Sequence, residues 1–283
     1  MTRRFWHAGP AVLAGLALVV IFLVAALAPV IAPHDPYDQD ILGRNLLPPT
    51  FLEGGRRAFV LGTDALGRDL LSRLIHGART SLLVGVVAVA VSGTLGVGLG
   101  LVSGYYGGRI DRLLMRLAEV QLSFPFILLA IAVIAVLGAG LRNIILVLGV
   151  TGWVTYARIV RGTVLPIKTL DFVSAARALG APDRRIIFRH ILPNVMGSVA
   201  VLGTFSFAQV ILAEAGLSFL GLGVQPPAPT WGGTLADGRL YLATAWWLTV
   251  FPGLAIMVTV LAINVLGDWL RDALDPRSDG RGA

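Results

Sequence analysis

The sequence predicts an all-α membrane protein with six transmembrane helices. Three observations carry that expectation. Hydrophobic residues make up 56% of the 283 residues and charged residues 14%, against about 25% charged in an ordinary soluble domain. Apolar runs long enough to cross a ~30 Å hydrocarbon core recur along the chain. The charges between those runs divide unequally between the two sides that six crossings define. There is no cysteine, so disulfides and thiol chemistry are excluded.

Residues 1–33 read as a short basic tail followed by a first span. Its apolar run, Ala11 to Ile31, is uninterrupted. A secretory signal competes, because Ala26-Leu27-Ala28 resembles a cleavage site. The run is longer than the usual ~7–15-residue signal core, and Pro29 would follow the cut. Residues 34–80 form a polar loop on the far side, with Pro48-Pro49 and Gly54-Gly55. The end of that loop, from Leu61 to Leu82, reads as an amphipathic approach to the second span. Leu70, Leu71, Leu74 and Ile75 share one face, and Asp69, Arg73 and Arg79 lie away from it. Asp64 and Asp69 read as caps and surface charges rather than catalytic carboxylates.

Residues 81–268 are expected to hold the other five spans. The second runs from Ser81 to Ser103. Ser92, Gly96 and Gly100, continued by Gly104 and Gly108, are spaced by four and lay a small-residue stripe along it. Such stripes let helix backbones approach closely in lipid, either within the chain or at a subunit or pore-facing seam. Tyr105–Arg116 reads as a basic turn, and Leu117–Leu137 as a third span kinked at Pro125. Ile144–Val160 is the fourth span and Val195–Ala213 the fifth. Glu214–Ala245 carries Pro226-Pro227, Pro229 and Gly232-Gly233, so it is not one helix, yet it is apolar enough to dip back where protein buries it. Trp246–Leu266 is the sixth span, and residues 269–283 are a polar tail. Gln209 and Glu214 are the candidates for lining a path through the spans, with a water-facing position as the alternative for Glu214.

Fifteen of the 23 lysines and arginines fall on the side of the N-terminus, the 105–116 turn, the 161–193 loop and the tail. The positive-inside rule places that side, with both termini, in the cytoplasm. The formal net charge of +7 is then all cytoplasmic, which removes the need for a nucleic-acid partner.

The loop at 161–193 contains the longest charged interruption of the second half, DFVSAARALGAPDRRIIFRHILP from Asp171 to Pro193. Asp171 is placed to cap a short helix in which Phe172, Ala175, Ala176 and Leu179 make one apolar face. Gly180 follows where a helix end favours φ > 0, and Pro182 suits the first turn of a second helix, which Pro193 then interrupts. Arginines at this density cannot lie in lipid. The segment is therefore either a solvated basic loop or a docking element with a small apolar face.

Ser174-Ala175-Ala176, three residues, Gly180, nine residues, then His190-Ile191-Leu192-Pro193 resembles the EAA loop of ABC-importer permeases. The spacing is intact, with Ser174 in place of Glu and His190 in place of Ile. The wording GTDALGRDLLSRLIHGARTSL that ends at Leu82, Ala213–Gly221 with Gln225-Pro226-Pro227, and Leu270–Pro276 resemble the dipeptide/oligopeptide/nickel branch, so the likeness runs from about Leu61 to Arg277. The resemblance implies a type I ABC-importer permease fold in a bacterial inner membrane. It implies a second, similar permease completing the path as a heterodimer, and an extracytoplasmic binding protein that delivers the solute. Two ATPase subunits, which carry ATP and Mg, would dock on the loop through Phe172, Ala175, Ala176 and Leu179.

The chain's own chemistry agrees with a role that is not enzymatic. Its single lysine, Lys168, follows Ile167, so the Gly-Lys-Ser/Thr of a phosphate-binding loop is missing and no cofactor is expected on this chain. The four histidines are scattered and no H-E-x-x-H occurs, so no metal is expected. Gly216-Leu217-Ser218 opens a nucleophile-elbow pattern, but Leu220 stands where Gly is needed. The alternative is a secondary carrier or channel that works without an ATPase; it would usually hold a midplane acid or histidine. A membrane-embedded enzyme would need convergent polar groups that the sequence does not offer.

Overall fold

A computed structural model describes residues 2–274, with side chains from Gly9 onward. Arg277, Arg281 and the Asp275-Pro276 pair lie outside the described residues, as do the side chains of Arg3 and Arg4. The described residues are helical, with one isolated bridge between Thr63 and Asp69 and no strand. The helices are α1 Thr2–Ala26, α2 Ala28–Ile31, α3 Ile41–Arg44, α4 Leu70–Tyr106, α5 Gly108–Leu122, α6 Phe126–Leu137 and α7 Leu141–Thr151. They continue with α8 Trp153–Ile167, α9 Asp171–Ala178, α10 Asp183–Arg185, α11 Leu192–Phe219, α12 Trp231–Gly238 and α13 Trp247–Leu274. Five helices or helix runs are long and apolar enough to cross a membrane, and six if α5 with α6 counts as one broken span.

The organising element is α4. Asp69 caps it by accepting from the Ser72 amide at 2.8 Å, and Gly107, at φ +67°, ends it. No proline interrupts its 37 residues, so it rises about 55 Å at 1.5 Å per residue. The approach segment and the second span are thus one continuous helix, and the loop before it ends at Asp69 rather than at residue 80. Each of the four apolar clusters draws on α4: Leu70 meets Trp247 and Leu248, Ala78 and Leu82 meet α1, α11 and α13, Val84 and Ala88 meet α6 and α7, and Leu101 and Tyr105 meet α8 and α11.

Five expected boundaries move. The basic turn at 105–116 is the end of α4, the Gly107 junction and the first nine residues of α5, an amphipathic helix. The third span is broken at Ser123–Pro125, and α5 and α6 meet at 89°. Pro125 has no N–H to continue the ladder and keeps Phe124 out of the α region; α6 alone, at about 18 Å, is too short to cross. Pro193 does not interrupt its helix. The backbone widens to an i→i+5 pattern over Ile186–Ile191, and Pro193 enters the first turn of α11, where its missing N–H costs nothing. The fifth span then runs on to Phe219, and the sixth runs to Leu274, so residues 269–274 are helix.

The candidate coupling loop and path-facing groups

The loop helix α9 is closed by two backbone bonds. Gly180, at φ +78°, donates to the Arg177 carbonyl at 2.9 Å and Ala181 donates to the Ala176 carbonyl at 3.1 Å, the paired bonds of a Schellman end. Asp171 is the first helical residue, not the cap: Leu170 holds the cap position with no side-chain bond. The Asp171 carboxylate instead complements the positive end of the helix dipole.

Val173 is fully buried in one cluster with Ile186, Ile187, Ile191 and Val164, and Ala176 packs at its edge. Phe172, Ser174, Ala175, Leu179 and Gly180 are exposed, Leu179 at 88%. The expected face of Phe172, Ala175, Ala176 and Leu179 therefore divides. Ala176 turns toward Val173 and anchors the helix; the other three form the free apolar ridge. Ile191 is buried, Leu192 half-buried and Pro193 exposed, so the end of the motif belongs to the base of the loop. Val173 went unremarked in the sequence, although with Ala176 it forms the i, i+3 pair that faces the isoleucines.

Polar ties join this loop and α8 to α4 and α5. The Tyr105 hydroxyl donates to Asp183 at 2.6 Å, and Arg177 donates to the same hydroxyl at 3.3 Å. That bond holds the Arg177 guanidinium above its ordinary pKa. Lys168 donates to the Gly104 carbonyl at 2.7 Å, and Arg161 makes a two-pronged pair with Asp111 at 2.6 and 2.7 Å.

The small-residue stripe lies in the seam between α4 and α8. Ser92 abuts Gly152, Gly96 abuts Tyr156 and the Trp153 carbonyl, and a Cβ on Gly100 would stand 2.7 Å from the Ala157 carbonyl. Only hydrogen fits at Gly96 and Gly100, so within this chain the stripe packs helix on helix. Gly108 does not take part.

Beside that seam lies a cavity of about 400 Å³ between α5, α8 and α11, whose polar lining includes Ser92, Gln121, Thr155, Tyr156, Ser206 and Gln209. Gln209 thus faces a cavity. Glu214 does not face it, nor does it face water: it is 1% exposed, accepts from Ser218 Oγ at 2.8 Å and packs beside Gly232 of α12. Both sequence readings of Glu214 are corrected by α12, which folds back over it.

At the far end of α4 lies an ion cluster in which Asp64, Arg68 and Arg73 are buried and Asp237 is half-exposed. Arg68 Nε reaches Asp64 at 2.7 Å, Arg73 Nε reaches Asp64 at 3.4 Å, and both arginines reach Asp237 of α12 at 3.4 and 3.5 Å. Asp64 is 4% exposed, so it is not a surface charge, whereas Asp69 is a cap as expected. Trp231 adds bonds to the Leu74 carbonyl at 3.0 Å and to Ser81 Oγ at 3.1 Å, which fix α12 on α4.

Comparison with known proteins gives the family. Residues 96–280 match the family described as "Binding-protein-dependent transport system inner membrane component", and residues 1–49 match the N-terminal TM domain of oligopeptide transport permease C. The Di/tripeptide transport system permease protein DppC of Pseudomonas aeruginosa is 47% identical over 97% of this chain and 92% of its own length. The Glutathione transport system permease protein GsiD of Pectobacterium atrosepticum is 43% identical over 97% and 89%. The Dipeptide transport system permease protein DppC of Haemophilus influenzae is 42% identical over 92% and 88%. A chain of the MetNI methionine ABC transporter in inward-facing conformations shares the fold, with a TM-score of 0.59 at 21% identity over 72% of this chain and 96% of that one. The chain belongs to the binding-protein-dependent inner-membrane permeases and is a permease subunit of an ABC importer.

Proposed function

We propose that this chain forms half of a solute path for short peptides and couples it to two ATPase subunits through the ridge of Phe172, Ala175 and Leu179. The observation that carries the reading is the division of α9. Val173 and Ala176 anchor the helix, and three apolar side chains remain free on a loop rich in arginine. A solvated loop without a partner needs no such ridge. The relatives' names, for di- and tripeptides, dipeptides and glutathione, support short peptides as the solute class. A second permease would complete the path against the cavity beside Gln209, and a binding protein would deliver solute on the side of the Asp64 cluster. The loop and both termini lie in the cytoplasm in this reading, on the charge balance. ATP and Mg belong to the ATPase subunits.

The test is a detergent pull-down of the native chain and of one with residues 171–180 scrambled, with mass spectrometry of what co-purifies. A P-loop ATPase recovered with the native chain alone supports the reading. An ATPase retained after scrambling, or none with the native chain, contradicts it.

A further inference from the structure

We propose that Arg116 and Glu119 line a water-filled solute path near the middle of the membrane, as a charge pair suited to zwitterionic solutes. The inference rests on the permease reading and adds the surface along which the solute passes.

The depth of these residues follows from two ties. Asp111 of α5 pairs with Arg161 of α8. Ten residues further along α5, Gln121 donates to the Thr151 carbonyl at 2.6 Å and accepts from Trp153 Nε1 at 2.8 Å. The two helices therefore run antiparallel for about 15 Å. Gly152, beside the second tie, abuts Ser92, the centre of the apolar run Ser81–Ser103. Gln121 is thus at mid-depth. Glu119 lies about 3 Å and Arg116 about 8 Å from that level along the helix. The expected basic turn at 105–116 and a third span starting at Leu117 would put both near the membrane surface.

Their side chains turn away from the bundle, with Arg116 79% and Glu119 68% exposed and 3.8 Å between them. Ala118, on the opposite face of α5, is buried. A charged group at this depth cannot rest in hydrocarbon and faces water or a protein-lined cavity. The outer row of α1 is the contrast: Leu13, Leu16, Val20 and Leu23 are exposed there without a polar neighbour among them, as a lipid-facing row should be. Two residues beyond Glu119, on the same face of α5 as Ala118, Gln121 opens onto the cavity with Tyr156, Ser206 and Gln209. Tyr156 brings a buried hydroxyl with no hydrogen-bond partner to it. The charge pair and the cavity thus lie at about the same depth, on the outer and inner faces of one helix. A carboxylate beside a guanidinium can meet the ammonium and the carboxylate of a single solute.

Because the chain has no cysteine, single-cysteine variants report on one position each. Glu119→Cys, Arg116→Cys and the lipid-facing control Leu16→Cys are placed in the full transporter in inside-out vesicles. They are treated with an impermeant cationic methanethiosulfonate, and labelling is read on this chain by mass. Rapid labelling at 116 and 119, none at 16, and slower labelling when ATP and vanadate trap the transporter are expected. Labelling at 119 no faster than at 16, in vesicles whose ATPase co-purifies, overturns the path and leaves the permease reading standing. Loss of the ATPase from the native complex overturns the reading beneath it. Glu119→Gln is expected to lower uptake of a labelled zwitterionic dipeptide about tenfold while the ATPase remains bound. Unchanged dipeptide uptake would overturn the solute class.

Discussion

The two ends of α4 hold polar clusters of opposite character. At the far end, Asp64, Arg68 and Arg73 are each under 6% exposed and lock the 34–69 loop and α12 onto the helix. At the loop end, the ties to Asp183 and Arg177 are partly open to water, and α9 is held mainly by one buried valine. Breaking a buried pair leaves a charge without compensation, whereas an exposed pair contributes little. The far end is therefore the fixed point of the helix, and the loop end, under the proposed coupling, is where an ATPase partner's motion would enter with little resistance. Movement applied to α9 reaches the spans because Tyr105 and Val173 join it to a continuous 37-residue rod.

The sharpest way to break this contrast is at the fixed end. Asp64→Ala should destabilise the chain by about 3–5 kcal/mol, because Arg68 and Arg73 would stay buried with only the half-exposed Asp237, at 3.4 and 3.5 Å, to compensate them. Thermal unfolding in detergent reads this, and an unchanged midpoint would remove the fixed point. Next in size is Gly96→Leu in the α4–α8 seam, where the added side chain meets Tyr156 and the Trp153 carbonyl. Overpacking there should cost about 1–3 kcal/mol and lower the yield of folded chain. Leu179→Glu should leave unfolding within about 0.5 kcal/mol of the native chain, since the side chain touches little, yet abolish ATP-driven uptake. If stability fell with transport, the ridge would be part of the fold and not a docking surface. The smallest effect is expected of Tyr105→Phe. It should cost about 0.5–1.5 kcal/mol for the lost hydroxyl bond and raise the ATP hydrolysed per solute moved. An unaltered ratio would show that the tie carries no coupling.

Much of the loop end was legible in the sequence because its signals are local. The spacing from Ser174 to Pro193 and the helix end at Gly180 are set by neighbours within one or two turns. The division of the ridge was not, because Ala176 lies between two faces and only the isoleucines of the next segment decide which it joins. The far cluster was illegible for the opposite reason: Asp237 meets Arg68 across 169 residues, and no local pattern marks that pairing. The same holds for Glu214, whose covering helix α12 begins 17 residues later. The span count was read from apolar length alone. Length does not reveal that Ser123–Pro125 turns the chain by 89°.

The central claim is that Leu179 meets an ATPase while Val173, six residues earlier, meets only its own chain. A photo-crosslinking residue placed at each position in turn, in the assembled transporter, tests it directly. The account predicts that position 179 joins this chain to a P-loop ATPase and position 173 gives only crosslinks within the chain. Crosslinks from 179 to lipid alone, or an ATPase adduct from 173 as strong as that from 179, would contradict it.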